Sequence, residues 1–288
     1  MSPGRLASHI RSTPVWNRLM RARDQSLSET GYGKEASALL VMWGARALYV
    51  GPAFGLTPHR NAVAVLALGI GAPFGVARDP LDLSKGYRSC RTALIAPNRL
   101  HHLQITGLMA FLYLDPLSRE YGAVRQRFEQ LDDGIAFDLG SETSVISSIR
   151  KLNSGAKPWI EAEQELLQTL GLQFSPKIDR RIVRAIASLR VDASSETDAA
   201  NLARAAGLSA SRFLHLFKEA TGVPFRRYRT WCRMGAIVRA AASGASLTDA
   251  AHAAGLASSA HLSVAFRDMF GLAPSDLGLQ KLQLIEAE

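Results

Sequence analysis

Five of the six residues Ala203-Arg204-Ala205-Ala206-Gly207-Leu208 return 48 positions later in Ala251-His252-Ala253-Ala254-Gly255-Leu256, with His252 in place of Arg204. Each copy runs on into a segment that closes on Phe, a basic residue, an acidic residue, two further residues and Gly. No other feature constrains the fold as much. In the first copy a short apolar-periodic helix over residues 198–206 stops at Gly207, which can take the left-handed backbone that ends a helix, and Ser209 is placed to cap the next helix. The second copy offers a helix over residues 248–254, a stop at Gly255 and a following helix over residues 258–270. Two short helices around a glycine turn are the sequence form of a helix-turn-helix, whose second helix enters the major groove of DNA.

Two copies are too few for a solenoid, and the stretch between them, residues 224–243, reads as one long helix opened by Pro224 and closed by Gly244. Such a rod would fix the spacing of two reading helices. Heads held about 34 Å apart face successive major grooves on one side of a duplex.

In the first reading helix Phe213, Leu216, Phe217 and Ala220 make the core stripe, which leaves Ser211, His215 and Lys218 outward with Arg212 and Leu214 flanking. In the second, Leu262, Ala265, Phe266 and Met269 are the stripe, and Ala260, Val264 and Arg267 face out beside His261 and Ser263. The first face is rich in hydrogen-bonding groups. The second suits thymine-methyl contact or shape reading, so the first head is expected to carry more of the hydrogen-bonded specificity. Ser211, Arg212 and His215 are assigned to base edges, and Lys218, Arg267 and some of Arg226, Arg227 and Arg229 to phosphates. An Ala-rich helical bundle is the plainer alternative, and the matched stops, the repeated closing pattern and the connecting rod argue against it. A basic run such as the one around Arg226 is ordinarily a solvated face, and Arg233 serves equally as an ion-pair partner within the domain.

Residues 178–277 resemble the DNA-binding domain of the AraC/XylS family of bacterial transcription regulators. The resemblance is carried by Leu202-Ala203, Gly207-Leu208-Ser209, Phe217-Lys218, Thr221-Gly222, Pro224-Phe225, Tyr228, Arg233, Ala236, Ala250-Ala251, Gly255, Phe266-Arg267, Phe270-Gly271 and Pro274-Ser275. It implies base contacts at Ser211, Leu214 and His215 in the first head and at Ala260 and Val264 in the second. The chain departs from the family pattern at Leu256, where Phe is usual, at Ser258, where Asp is common, and at Leu277-Gly278, where Tyr-Arg is usual. These departures touch the second head's grip on DNA more than its fold. The implied partners are double-stranded promoter DNA and RNA polymerase. Activation or repression depends on where the operator lies relative to the promoter.

A formal net charge of +9 over 288 residues favours a polyanionic partner through counterion release. Length allows two domains with their own cores. Cys90 and Cys232 fall in different domains, which argues against a disulfide framework and for a reducing, cytoplasmic setting. The N-terminus lacks the apolar stretch of a signal peptide. The longest apolar run, residues 62–77, is broken by Gly69, Gly71, Pro73 and Gly75, so no membrane span is expected.

Residues 1–35 are polar, Arg-dotted and interrupted by Pro and Gly, and read as a disordered basic extension with room for one helix over residues 15–23. Residues 36–116 change to short Val-, Ile-, Leu- and Tyr-rich runs between Gly, Pro and Asn, the texture of a small barrel or jelly roll that ends at Asp115-Pro116. Helical patterns at residues 118–130, 142–152 and 158–170 place a helical segment over 117–174, a candidate homodimer interface or a layer packed on the barrel. Ser175-Pro176 is the expected linker to a DNA-binding domain over 177–278, with 279–288 as a tail. The fold class expected is therefore α+β: an N-terminal barrel with trailing helices, then an all-α double helix-turn-helix domain.

The N-terminal half resembles a cupin-type sensory domain, on Thr57-Pro58-His59-Arg60-Asn61, Gly69 and the run from Ala93 to His102. The resemblance implies a small-molecule effector at His59, Asn61, His101 and His102. Metal-binding cupins use a His-X-His pair, a Glu and a later His. Asn61 stands where the second histidine would be and no Glu follows before Gly69, so neither a metal nor another cofactor is expected. A lone histidine more often caps a strand end, and alternation along a strand sends only one of His101 and His102 inward. The reading is a ligand-responsive DNA-binding regulator and not an enzyme. The alternative, a cupin enzyme fused to a DNA-binding module, needs a metal centre that these residues do not supply.

Overall fold

The computed structural model describes residues 38–116, 120–172, 178–193, 197–278 and 282–287. The basic extension and the expected linker at Ser175-Pro176 lie outside them.

The N-terminal half is built on an eight-stranded sheet in the order β11-β12-β7-β4-β10-β2-β1-β13. Its middle strands are β2 (Arg46–Pro52), β4 (Val65–Gly69), β7 (Thr92–Ile95) and β10 (Leu108–Tyr113), and β1 (Leu39–Trp43) lies beside β2. These runs are apolar at nearly every position because both faces of the sheet are covered. On β10, Met109 and Phe111 enter one core while Ala110 and Leu112 enter the other, and Ala47 and Tyr49 on β2 alternate with Leu48 and Val50 in the same way. One face is covered by two helices, α2 (Glu142–Asn153) and α3 (Trp159–Leu170), through Val145, Ile149, Trp159, Ala162 and Leu166. These helices thus pack on the sheet, one of the two placements expected of them, and Ile160 remains exposed. The other face meets a small sheet of β5 (Phe74–Ala77), β6 (Tyr87–Cys90) and β9 (Leu103–Gln104), and a two-stranded ladder of β3 (His59–Arg60) with β8 (Leu100–His101).

Two boundaries differ from expectation. The sheet does not end at Pro116, and the helix read over 118–130 is only α1 (Glu120–Arg125). Beyond it β11 (Phe128–Asp132) and β12 (Ile135–Leu139) form a hairpin on β7. Asp133 and Gly134 both have positive φ, 41° and 80°, the two-residue turn that an Asp-Gly pair specifies between antiparallel strands. The tail is not outside the fold either. Residues Gln283–Ala287 form β13, parallel to β1 in the register Leu39↔Gln283 to Trp43↔Ala287, because Leu282 and Leu284 reach one core and Ile285 the other.

The C-terminal half is helical: α4 (Arg180–Val191), α5 (Ala199–Ala205), α6 (Ala210–Thr221), α7 (Phe225–Ala242), α8 (Leu247–Ala253) and α9 (Ser259–Phe270). Its first head has its own core, Ile182, Ile186, Leu189, Leu202, Phe213, Phe217, Phe225 and Tyr228. The second head does not. Met234, Val238, Ala250, Leu262, Phe266 and Met269 share one continuous core with Val65, Ala67, Met109 and Phe111 of the sheet.

Candidate nucleic-acid interface and adjoining cavity

Both reading helices are capped alike. Asp198 accepts from the Asn201 amide at the start of α5, and Ser209 Oγ accepts from the Arg212 amide at 3.3 Å at the start of α6. In the second head Ser246 accepts from the Asp249 amide, and Ser258 Oγ from the His261 amide at 3.1 Å. Gly207 and Gly255 turn the chain between helices with φ of 65° and 74°. Burying Phe213 and Phe217 leaves Ser211, Arg212, Leu214, His215 and Lys218 exposed on α6. Burying Leu262, Phe266 and Met269 leaves Ala260, Val264 and Arg267 exposed and Ser263 half-buried on α9. Leu214 and Val264 are 41% and 66% exposed, conspicuous for apolar side chains set among hydrogen-bonding and cationic neighbours.

The arginines of α7 divide by environment. Arg226 is exposed. Arg229 and Arg233 donate to the Ala193 carbonyl at 3.3 and 2.7 Å and close the first head. Arg227 pairs with Asp268 of α9 at 3.0 Å and also donates to the carbonyl of Arg60 in the sheet domain, so it bridges the two halves.

Between the halves lies a cavity of about 530 Å³. The sheet contributes Leu40, Met42, Tyr49, Phe54, Val65, Phe111 and Tyr113; the helical half contributes Tyr228, Trp231, Met234, Val238, Phe266 and Phe270. Tyr113 sits 5.1 Å from Trp231 and 5.9 Å from Phe270, ring to ring, so one aromatic cluster joins β10, α7 and α9. The last residues of β13, Glu286 and Ala287, also line the space, with Glu286 3.6 Å from Arg239.

His59, Asn61 and His101 form the polar end. Their rings and amide meet because β3 pairs with β8, which sets His59 opposite His101 with ring centroids 4.2 Å apart. Each Nδ1 lies near a carbonyl that can only accept, Thr57 for His59 at 2.8 Å and Arg99 for His101 at 2.9 Å, so each Nδ1 carries the proton. Burial pushes His59 down to about 4 and His101 down to about 3, from an ordinary 6.5. Both rings are neutral, and His101 Nε2 accepts from Asn61 Nδ2 at 3.3 Å, which leaves Asn61 Oδ1 without a partner. His102 turns away, with Nε2 donating to the Leu56 carbonyl and Nδ1 accepting from the Tyr87 hydroxyl.

A family described as a helix-turn-helix domain matches residues 202–279, from within α5 through the rod and the whole second capped pair. Residues 202–279 are an AraC-type helix-turn-helix domain. Two solved structures of ToxT from Vibrio cholerae are similar to about four-fifths of the chain. One, an apo form of a single-residue variant, is 13% identical, covers 82% of this chain and 98% of its own, and has a TM-score of 0.52. The other is 12% identical, covers 81% and 96%, and has a TM-score of 0.51. At such identity the likeness extends to the fold, a β-rich N-terminal half followed by the helical one. No curated protein matches the chain in sequence.

Around the AraC-type domain the sequence-nominated residues fall into three groups. Ser211, Arg212, Leu214, His215 and Lys218 share the outer face of α6, and Ala260, Val264 and Arg267 that of α9. His59, Asn61 and His101 share the cavity end, and His102 does not point there. Arg227 is drawn into the contact between the halves. Two imidazoles and one amide fall short of the three strong ligands usual at a catalytic metal, and no cluster of three His, Cys, Asp or Glu side chains is placed to hold one among the described residues. No helix among the described residues is long and apolar enough to cross a membrane. Sequence reasoning misses the role of α7 and α9 as cavity wall. The signal is present in Met234, Ile237, Val238 and Ala241, an i, i+3, i+4, i+7 stripe on a rod that sequence alone assigns only as a spacer.

Proposed function

We propose that this chain is a transcription regulator that reads promoter DNA with two helices and changes its reading when a small molecule fills the cavity between its halves. One observation carries this proposal: the cavity wall is built from α7 and α9, so whatever occupies it touches the rod and the second reading helix directly. In the proposed complex Ser211, Arg212 and His215 meet base edges through α6. Leu214, Ala260 and Val264 make apolar base contacts, Ser263 stands beside them, and Lys218, Arg226 and Arg267 neutralise phosphates. Arg227 reaches DNA only if it leaves Asp268 and Arg60.

Chemistry of the lining defines the effector class. An aromatic and aliphatic wall of about 530 Å³ suits one mostly apolar molecule of drug-like size. His59, Asn61 and His101 give it a single neutral, hydrogen-bonding end. The arginines on the lining already have acidic partners: Arg46 holds Glu120, Arg190 lies 3.5 Å from Asp115, and Arg239 faces Glu286. A second copy of the chain and RNA polymerase are the protein partners this reading implies.

Selection of bound duplexes from a random pool by the full chain, at fixed salt and with or without an apolar extract of cells, tests the proposal. A recurrent sequence whose enrichment changes with the extract supports it. Binding that is uniform across sequences removes specific reading, and a recurrent sequence indifferent to every extract fraction removes the effector.

A further inference from the structure

We propose that Thr57 and His59 are positioning residues for the second reading helix, forming a clamp that sets where α9 stands and whose inner side is part of the cavity wall. The proposal rests on the reading of residues 202–279 as a DNA reader. The Thr57 amide and hydroxyl both donate to the carbonyl of Gly271, at 2.8 and 3.0 Å, and Gly271 is the residue that ends α9. The Thr57 carbonyl in turn accepts from His59 Nδ1. A Cβ on Gly271 would come within 2.5 Å of that Nδ1, so helix end and imidazole are in contact.

Residues 57–60 hold α9 a second time. The Arg60 carbonyl accepts from Arg227, whose other nitrogen pairs with Asp268 in the last turn of α9. Both ties are at one end of the helix. Of its reading residues Ala260 is at the other end and Val264 near the middle, and a twelve-residue helix is about 18 Å long, so a small tilt at the clamp becomes a larger displacement at Ala260. The end of α6 differs: Gly222 closes it in the same way, with nothing among the described residues within 4 Å of where its Cβ would be. His59 is 5% exposed and lines the cavity, so a molecule that moves its ring moves the tie to Gly271. The first head meets the sheet domain through Arg190 and Asp115, away from its reading helix, whereas in the second head the clamp sits on the end of the reading helix itself.

The test uses the full chain and a duplex selected from a random pool. Arg267→Ala first marks which half-site belongs to α9, by the contacts it loses. Competition binding then compares Thr57→Val, Thr57→Ser and His59→Ala against duplexes altered in either half-site. Thr57→Val and His59→Ala should lower discrimination at the α9 half-site about five-fold, the equivalent of one lost hydrogen bond, with the α6 half-site unchanged. Thr57→Ser, which keeps the hydroxyl donor, should restore it. If His59→Ala does not fold, Thr57→Val and its Ser counterpart decide alone. Equal loss at both half-sites, or no loss at either, overturns the clamp while leaving DNA reading intact. A wild-type chain that selects no duplex overturns the DNA reading and the clamp with it.

Discussion

Gly222 and Gly271 end the two reading helices in the same left-handed conformation, with φ of 71° and 76°, yet their surroundings are opposite. An Ala at either position carries the strain of that backbone, about 1 kcal/mol or somewhat more for an L residue. At Gly222 nothing else is added, since the space is open. At Gly271 the new methyl would sit 2.5 Å from His59 Nδ1 and 2.7 Å from the Thr57 carbonyl oxygen. The second is backbone and cannot swing aside, so overpacking adds about 1–3 kcal/mol. Gly222→Ala is therefore expected to cost about 1 kcal/mol and Gly271→Ala about 2–4 kcal/mol. Urea unfolding of the full chain, followed by the tryptophan emission of Trp43 and Trp231 in the cavity wall, measures both in one apparatus. Equal costs for the two variants would mean that the second head does not rest on the sheet domain in solution, and the reasoning about a shared core would fail.

Acid should loosen the contact between the halves. His59 and His101 are held neutral by burial, with pKa values lowered to about 4 and about 3, while the unfolded chain takes up protons near 6.5. Their contribution is complete above pH 6.5 and falls as pH drops toward 4, by up to about 1.4 kcal/mol per pH unit for each ring, and urea midpoints between pH 7.5 and 4.5 should show that slope shrink in His101→Gln. On DNA, Lys218→Ala should weaken all sequences alike and lower the salt slope by about one, whereas His215→Ala should change the preferred sequence; uniform loss in both, measured by competition binding, would contradict the base-edge assignment. Truncation after Gly278 removes β13, the Leu282 and Leu284 anchors and the Glu286 partner of Arg239. Amide exchange across β1 should then rise well above that of β2, and unchanged exchange would show that the strand is not paired in solution.

Much of the helical half was legible because its signals are local. Cap residues, glycine stops and a 3.6-residue stripe each specify structure within a few positions, and Ser209, Ser258, Gly222 and Gly271 do so here. The sheet domain was legible as a texture and less so at its limits. Asp133-Gly134 is a strong hairpin signal, yet the polar stretch Glu129-Gln130 before it and the helical propensity of Glu120–Arg125 draw the reading toward one long helix. β13 could not be read at all from neighbours in sequence, because five residues become a strand only by finding the free edge of β1 more than two hundred positions earlier. The cavity belongs to the same class. His59 and His101 are nominated by sequence as a binding end, but the wall opposite them comes from Trp231, Phe266 and Phe270, whose side chains serve a helical core in any local view. Arg227 shows the limit most clearly. Among four arginines of similar sequence context, only tertiary contact sets it against Asp268 and the Arg60 carbonyl.

Hydroxyl-radical footprinting of the full chain on its selected duplex tests the two-headed reading most directly. The account predicts two protected patches about one helical turn apart on the same side of the duplex, the one marked by Arg267→Ala shifting when the cavity is filled and the one marked by Lys218→Ala staying in place. A single patch, or two patches that shift together, would contradict it.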